Sequence, residues 1–442
     1  MQRWLTMSAA ALGRAIAKAD IDPVDLAQTF LDAIDAHPFT SRIYTIVTHD
    51  RALAEAQAAS ERARLGQRKS ALDGVPVSWK DLFDSAHVAT EAGSVLLENR
   101  MPSKDCEVLR CATELGLVCL GKTHLSELAF SGLGYNPRTA TPPCVNDHDA
   151  VSGGSSSGAA ASVAFGLAPL AIGSDTGGSV RIPAAWNDLV GLKTTSGRLS
   201  LEGVVPLCAR FDTVGPLCRS VEDAALALAV LEGSKPADLT NSTLDGRRFA
   251  ICDTVALDAL RPEPHAAFDM AIDRLRAMGA KVERIEIPQV QEALELSGVL
   301  FAAEAYGTWK DIIEANPDLM YEEILMRFRG GADVSAPDYV AAWQKLDRLR
   351  GDYYTATREF DAVLMPSSPI LPPNMERLGR DHDYYVAENL LALRNTRIGN
   401  LMGSCALTLP TGVPSCGLMM VCPPLQEHHL LRLGAAVENA LA

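Results

Sequence analysis

Apolar positions recur at helical spacing through the first part of the chain. Two groups of them lie on one face of a 3.6-residue repeat, and Pro23 stands between the groups, where a proline can open a second helix. We therefore predict helices throughout residues 8–65. The positions that carry this pattern are Leu12, Ile16, Leu26, Phe30, Leu31 and Ile34.

The pattern changes at Gly74, where short apolar runs begin to alternate with helical segments. The predicted strands cover residues 75–79, 116–121 and 168–173, and the predicted helices cover residues 108–115 and 159–165. Lys80 lies at the end of the first of these strands. Short buried strands that alternate with helices favour an α/β sandwich with a largely parallel sheet, and the family resemblance given below implies that the sheet is mixed.

The remainder of the chain extends this architecture. Residues 220–350 are predicted to be mostly helical, and an amphipathic helix closes the chain. The predicted strands of this half cover residues 245–253, 280–287, 361–366, 406–410 and 417–422. Because no low-complexity linker or internal repeat interrupts the pattern, we predict one domain over residues 1–442. Its parts are N-terminal helices (1–70), a core (70–225), a helical middle (225–360) and C-terminal strands with a helix (360–442).

Composition and charge narrow the function classes. The 442 residues are 48% hydrophobic and 21% charged, which is ordinary for a globular enzyme. A formal net charge of −15 and no Lys/Arg-rich run argue against direct nucleic-acid binding. The ten cysteines include no CxxC pair and are expected to be reduced thiols. Arg14 and Lys18 interrupt the N-terminal apolar residues, so we predict a cytoplasmic protein with no membrane span.

Two glycine-framed serine clusters are the main chemical signal. In GSDTGGSVR, residues 173–181, Gly177 and Gly178 let consecutive N–H groups converge before Ser179. Such a nest suits a tetrahedral oxyanion, although a serine in this turn could equally cap the following helix. In the other cluster, residues 154–158 match the GxSxG elbow with Ser156 as nucleophile, but a polar loop precedes it where the elbow needs a strand.

A third arrangement uses one lysine together with both clusters. Neutral Lys80 would deprotonate Ser155, and Ser155 would deprotonate Ser179. Burial would lower the pKa of the lysine, since desolvation disfavours its charged form, although an exposed lysine at a strand end is the simpler interpretation of Lys80 alone. The SxxK mechanism is excluded, because no lysine in the chain has a serine three residues before it.

These residues, in this order, resemble the amidase signature family. The matching segments are GVPVSWKD (74–81), GKTHLSE (121–127), SGGSSSG (152–158), GSDTGGSVR (173–181), DTVGP (212–216) and VEDAA (221–225), with a looser match at PSSP (366–369). The chain departs from the family pattern at Ser157, His124 and Trp79. We expect Trp79, together with Phe130, to narrow the acyl pocket.

The resemblance implies a fold and a set of roles. It implies a single α/β/α domain, with Ser179 as the nucleophile, Ser155 as a serine that follows a cis peptide bond, and Lys80 as the base. It implies an oxyanion hole made by the backbone N–H groups of Thr176, Gly177, Gly178 and Ser179, and substrate contact near Ala129. Asp175 and Arg181 are expected to brace the loop. No metal or organic cofactor is implied.

The implied reaction is hydrolysis of a small carboxamide through an acyl-enzyme at Ser179, with release of ammonia or an amine. A second hypothesis is the glutaminase subunit of a tRNA-dependent amidotransferase, in which a partner protein would hold the tRNA. A third, of another class, is a catalytically silent binding protein on the same fold. The compact segment at residues 410–417 favours an enzyme that acts alone, and a homodimer is the default expectation.

Overall fold

An 11-stranded sheet runs through the computed structural model, which describes residues 2–442. The strands are β1 Tyr44–Val47, β2 Pro76–Lys80, β3 Val118–Thr123, β4 Leu170–Ser174, β5 Val190–Lys193, β6 Val214–Cys218, β7 Arg248–Cys252, β8 Lys281–Ile285, β9 Ala362–Pro366, β10 Cys405–Pro410 and β11 Gly417–Cys422. Their order across the sheet is β1-β3-β2-β4-β6-β5-β10-β11-β9-β7-β8. Because the one sheet takes strands from both halves of the chain, the α/β fold expected from the sequence is confirmed.

Sixteen α-helices flank this sheet within residues 2–442. They are α1 Ala9–Ala17, α2 Pro23–Ala36, α3 Thr40–Ile43, α4 His49–Arg64, α5 Glu107–Glu114, α6 Ser157–Ala164, α7 Arg181–Trp186, α8 Val221–Glu232, α9 Pro262–Ala277, α10 Pro288–Glu295, α11 Ser297–Ala315, α12 Glu322–Arg329, α13 Ala336–Thr357, α14 Met375–Leu378, α15 His382–Leu401 and α16 Glu427–Leu441. Helix α2 begins at Pro23, as the sequence predicts, and the Asp22 side chain accepts a hydrogen bond from the Val24 N–H at its N-terminus.

The sheet is mixed, but it is not largely parallel. Strand β2 pairs in parallel with β3 and β4, and β7 pairs in parallel with β8 and β9. The other six pairings, which include those of β5, β6, β10 and β11 at the centre of the sheet, are antiparallel. The expectation of a mainly parallel sheet is therefore wrong, because alternation of strands and helices along a chain does not fix the direction in which each strand is inserted.

Most predicted elements are present with shifts of a few residues at their ends, but three strands are additional. The N-terminal region is not helical throughout, since β1 lies between α3 and α4. Strands β5 and β6 were also not predicted. Strand β6 contains Gly215 and Pro216, two residues that weaken a strand pattern, and β5 begins only four residues after α7 ends.

Every residue of β2, β3 and β4 is buried. These neighbouring strands are therefore covered on both faces, as is typical of parallel strands between helical layers. Their carboxyl ends meet at one edge, where the chain leaves β2 at Lys80 and β4 at Ser174. This edge is where ligands bind in open α/β sheets.

Other sequence expectations concern cysteines, membranes and metals. All ten cysteines are free, and all except Cys111 are buried. No helix in the described chain, residues 2–442, is long and apolar enough to cross a membrane. Over the same residues, no three or more His, Cys, Asp or Glu side chains come together in an arrangement that could hold a metal ion.

Candidate active site

Lys80 is the last residue of β2 and is completely buried. Its Nζ donates a hydrogen bond to Ser155 Oγ at 2.7 Å and another to Ser174 Oγ at 2.8 Å. Ser174 is the last residue of β4, the parallel neighbour of β2, so the sheet itself places this hydroxyl beside the lysine. Within residues 2–442, Lys80 forms no ion pair with a carboxylate.

Burial governs the protonation of this lysine. Desolvation lowers the pKa of Lys80 from its ordinary value of 10.5 to about 7, while the charges of Asp175 and Asp212 act in the opposite direction. A substantial fraction of the side chain is therefore neutral near pH 7. A neutral lysine amine can accept a proton, which is the property that a general base needs.

Ser155 lies in the loop before α6, and the peptide bond between Gly154 and Ser155 is cis, as the resemblance implies. The loop is held by the Gly154 N–H, which donates to the Gly132 carbonyl, and by the Ser155 carbonyl, which accepts from the Ser126 N–H. A Cβ atom on Gly154 would collide with the backbone of Gly134, so this position requires glycine. Ser155 is completely buried and does not line the open cavity beside Ser179.

Ser179 lies in the turn between β4 and α7, and it lines an open cavity. Its carbonyl accepts a hydrogen bond from the Ser156 N–H at 3.2 Å, which ties the two serine loops together. The Ser179 hydroxyl makes no hydrogen bond to any residue in the described range 2–442, and this includes Ser155. Contacts between catalytic groups are often completed only when the substrate binds.

The backbone N–H groups of residues 176–179 differ in whether they have a hydrogen-bond acceptor within the protein. Those of Thr176, Gly177 and Ser179 have no acceptor among residues 2–442, and all three residues line the cavity. The N–H of Gly178, which the resemblance places in the oxyanion hole, instead donates to Asp175 Oδ1 at 2.9 Å, and Gly178 does not line the cavity. The turn therefore offers three free donors to a ligand.

A buried ion pair between Asp175 and Arg181 lies in this turn. The Arg181 Nη2 and Nε donate to Asp175 Oδ1 and Oδ2 at 2.8 and 3.0 Å. Asn400 on α15 bridges the pair, since it donates to Asp175 and accepts from Arg181. Burial alone would raise the pKa of Asp175, but the adjacent Arg181 holds it well below its usual range. The carboxylate therefore stays ionised and fixed to the backbone of the loop.

Ala129 lines the same cavity as the turn that holds Ser179. Leu128 and Ala129 both have positive φ angles, of 46° and 59°, in a short 3-10 turn. Two successive non-glycine residues in this region are uncommon and often occur at ligand sites. No donor in the described part of the chain bonds to the Ala129 carbonyl, which leaves that oxygen free for a ligand N–H.

The cavity has a volume of about 210 Å³. This is below the roughly 300–1,000 Å³ of pockets that hold drug-sized ligands, so the site suits a small molecule. Phe130 lines the cavity, as expected, but Trp79 does not: it is completely buried in the core and packs edge-to-face against Phe83. The expectation that Trp79 narrows the pocket is therefore wrong.

Sequence reasoning missed four residues of the site. Ser174 bonds Lys80, and Asp212 accepts a 2.5 Å hydrogen bond from the Thr176 hydroxyl. Both stand inside the quoted family segments, so their position was a usable signal. Arg327 and Arg397 line the cavity from α12 and α15. They lie far from these segments in the sequence, and nothing in their local sequence marks them.

The alternative nucleophile Ser156 has a different environment. It is completely buried, and its hydroxyl donates to the Ser174 carbonyl at 3.2 Å. No histidine in residues 2–442 bonds to it, and a loop rather than a strand leads into it. The geometry that a GxSxG elbow requires is therefore not present at Ser156.

Comparison with known proteins identifies a family and relatives of this chain. The Amidase family model matches residues 25–431. The 2-amino-5-chloromuconic acid deaminase of Comamonas testosteroni is 36% identical over 413 residues, which are 90% of this chain and 88% of that protein. A glutamyl-tRNA(Gln) amidotransferase subunit from Anaeromyxobacter sp. (strain K) is 33% identical, over 97% of this chain and 95% of that protein.

Solved structures give the same result. A crystal structure of an amidase superposes with a TM-score of 0.89 and 28% identity, and the match covers 99% of this chain and 100% of that one. The chain belongs to the amidase family, and the expectation of an enzyme that hydrolyses carbon–nitrogen bonds is confirmed.

Proposed function

We propose that this member of the amidase family hydrolyses a small linear carboxamide through an acyl-enzyme at Ser179, with Ser155 and Lys80 as its proton relay. The observation that carries the proposal is the 2.7 Å hydrogen bond from Lys80 Nζ to Ser155 Oγ. It matters because Lys80 is buried, and burial lowers the pKa of its amine to about 7. That lysine can be neutral at physiological pH and so can draw a proton through a serine hydroxyl.

In the first half of the reaction, Lys80 takes the proton of Ser155, and Ser155 takes that of Ser179. The Ser179 oxygen then attacks the amide carbonyl carbon. The resulting oxyanion would be bound by the free N–H groups of Thr176, Gly177 and Ser179. The Ala129 carbonyl would accept a hydrogen bond from the substrate amide nitrogen.

In the second half, the tetrahedral intermediate collapses and its C–N bond breaks. The proton held by Lys80 returns through Ser155 to the leaving nitrogen, which departs as ammonia or an amine. Water then attacks the Ser179 ester by the same relay, and the products are a carboxylic acid and the free serine. No step of this scheme needs a metal or an organic cofactor.

The second candidate is the glutaminase subunit of a tRNA-dependent amidotransferase. It is supported by the relative from Anaeromyxobacter, which is named as an amidotransferase component and matches nearly the whole chain. A silent binding protein is disfavoured, because Lys80, Ser155 and Ser179 are all present. Cytoplasmic location and a homodimer stay predictions from the sequence.

The first test is treatment of the purified chain with a fluorophosphonate, followed by intact-mass measurement and peptide mapping. We expect one adduct, on Ser179, and release of ammonia from members of a panel of small amides. An adduct on Ser156 would replace the proposed nucleophile. No adduct together with no ammonia would contradict the enzymatic proposal.

A further inference from the structure

Two arginines line the cavity beside Ser179 without any carboxylate partner. Arg327 lies on α12 and Arg397 on α15, and neither takes part in an ion pair with any of residues 2–442. By contrast, the buried Arg181 pairs with Asp175, and Arg329 on the same helix as Arg327 pairs with Glu314 at 2.7 Å. The cavity therefore has two positive charges that its own walls do not neutralise.

The hydrogen-bonding capacity of both guanidinium groups is almost entirely unused. The Nε of Arg327 is buried with no partner among residues 2–442, and its guanidinium lies 4.7 Å from the centre of the Phe130 ring. Arg397 makes one long contact, 3.4 Å from Nη1 to the Ser297 hydroxyl. An arginine offers five N–H donors in a planar fork, the geometry that a carboxylate matches best.

The environment penalises these charges when no ligand is bound. Burial lowers the pKa of both arginines, and the charge of Arg327 lowers that of Arg397 further. Two like charges that face one small cavity repel each other, and desolvation removes the water that would stabilise them. An anion between them would relieve both costs.

Arg397 also lies close to the reacting centre. A Cβ atom built on Gly177 would be 4.0 Å from Arg397 Nε, so the guanidinium borders the turn that holds the free N–H groups. A charged group bound there would belong to the same small molecule whose carbonyl meets Ser179. An anion held by Arg397 can therefore be part of the substrate.

Within the described chain, the cavity provides no carboxylate for a cationic substituent. No Asp or Glu among residues 2–442 lines it, and the rest of its wall is mainly apolar, with Phe301, Leu207 and Leu393 among its residues. An α-ammonium group, as in glutamine, would be buried next to two arginines and would find no counterion. A hydrocarbon chain suits the same wall.

We propose that Arg327 and Arg397 form a carboxylate subsite, and that the substrate is the monoamide of a dicarboxylic acid without an amino group. The inference rests on the proposed function, which supplies the chemistry: the monoamide and water give a dicarboxylate and an ammonium ion. The arginine pair positions the free carboxylate, and the apolar wall contacts the carbon chain between the two ends.

Three amides of similar length test the subsite in the unmodified protein. Glutaramate has a carboxylate and no ammonium group, pentanamide is neutral, and L-glutamine adds an ammonium group to glutaramate. We expect kcat/KM for glutaramate to exceed that for each of the other two by about 10- to 100-fold, the range that one or two charge-assisted hydrogen bonds supply. Shorter and longer monoamides then determine the preferred spacing.

Variants of the arginines test whether they cause the preference for glutaramate over pentanamide. In Arg397→Gln we expect the ratio of kcat/KM for glutaramate to that for pentanamide to fall by about 10- to 100-fold, with partial recovery in Arg397→Lys. Arg329→Gln is the matched control, since it removes a positive charge two residues from Arg327 but outside the cavity, and its ratio should equal that of the unmodified protein.

The possible outcomes distinguish an error in the carboxylate subsite from an error in the proposed reaction. Labelling of Ser179 with equal kcat/KM for glutaramate and pentanamide would overturn the carboxylate subsite and leave the proposed function intact. A preference for L-glutamine over glutaramate would overturn the exclusion of the ammonium group. Absence of both labelling and ammonia release would instead contradict the proposed function.

Discussion

Lys80 differs from the two other completely buried lysines of the chain in what its amine contacts. Lys122 pairs with Asp81 at 3.0 Å and also donates to the Thr90 hydroxyl at 2.8 Å, whereas Lys193 donates to the backbone carbonyls of Thr194 and Ser404. A carboxylate favours the charged form of an ammonium group beside it, and a carbonyl cannot give up a proton. Both partners of Lys80 are serine hydroxyls, which can accept and donate. Of the three lysines, Lys80 alone bonds only to hydroxyls and to no carboxylate of residues 2–442, which suits it to exchange a proton with them.

The pH dependence of the reaction should report the protonation of this lysine. Because burial lowers the pKa of Lys80 to about 7, the fraction of neutral base rises with pH through that value. We expect kcat/KM to increase about tenfold per pH unit below pH 7 and to level above it. The measurement is ammonia release between pH 5 and 9, buffer values chosen to span roughly two units each side of the pKa.

Two variants complete this test. Lys80→Ala should lose most activity, and its residual rate should keep rising at high pH as hydroxide replaces the base. Lys104→Ala, at an exposed position, should follow the unmodified profile. A Lys80→Ala enzyme with the unmodified rate and profile would remove Lys80 from the mechanism.

Replacement of the nucleophile should separate activity from stability. The Ser179 hydroxyl makes no hydrogen bond to residues 2–442, so Ser179→Ala removes no hydrogen bond and should leave the melting temperature within about 1 °C. Ammonia release and fluorophosphonate labelling should both disappear.

Ser156→Ala is the informative companion variant. It loses a buried hydrogen bond to the Ser174 carbonyl, so it should unfold more easily, by about 1 kcal/mol, yet still be labelled on Ser179. Full activity in Ser179→Ala would contradict the assignment of the nucleophile.

Individual site residues can be predicted from the sequence only where they belong to a recognisable motif. Lys80, Ser155 and Ser179 could be found from glycine-framed segments, and the structure brings the first two into contact. The hydrogen bond from the Gly178 N–H to Asp175 could not be predicted, because it depends on the conformation of the loop that carries both residues. Arg327 and Arg397 could not be found either, since a lone arginine on a helix has no local pattern that marks it as unpaired.

At the scale of elements, the turn from β4 to α7 is rigid because it is packed against α15. Gly178 has a φ of 140° there, and a Cβ on it would collide with the Thr396 side chain. The Thr396 hydroxyl in turn donates to the Gly177 carbonyl at 2.8 Å. The free N–H groups therefore keep their direction through contacts with a distant helix.

Gly178→Ala should disturb this packing and the reaction together. We expect a lower melting temperature and a loss of kcat of at least about 100-fold, the scale of losing one oxyanion donor. Gly197→Ala is the matched control: it also has a positive φ, of 80°, but nothing lies within 4 Å of its Cβ position. It should cost only about 1 kcal/mol of stability and keep its kcat. Equal kcat in the two variants would argue against a tightly held turn.

Among the strands, local pattern predicted those with continuous apolar runs and missed the others. Strand β1 lies at the sheet edge and has only four residues, two of which are exposed. Its run of apolar residues is therefore too short to be predicted as a strand from hydrophobic periodicity. The direction of the strands could not be predicted either. At the antiparallel centre of the sheet, β5 pairs with β6 and with β10, which comes about 190 residues after β6 in the sequence. The pairing of β5 with β10 depends on tertiary packing and not on local sequence.

At the scale of the molecule, the cavity is assembled from segments that are far apart in the chain. The turn at residues 176–179 and Ala129 come from the core, whereas α11, α12 and α15 supply other lining residues. The proposed reacting groups thus lie in the segments that match the family motifs, and the arginines lie outside them. This division explains why the reaction class could be predicted from the sequence and the substrate could not.

A short connection between β10 and β11 favours a chain that works without a partner. Only residues 411–416 join these two strands, as the compact segment in the sequence indicates. We expect the purified chain alone to release ammonia from its amide substrate, at a rate proportional to enzyme concentration and unchanged by added tRNA. A glutaminase subunit would instead need its partner protein for full activity. Activity that appears only with a second protein, or a rate that rises with tRNA, would favour the amidotransferase hypothesis over an independent amidase.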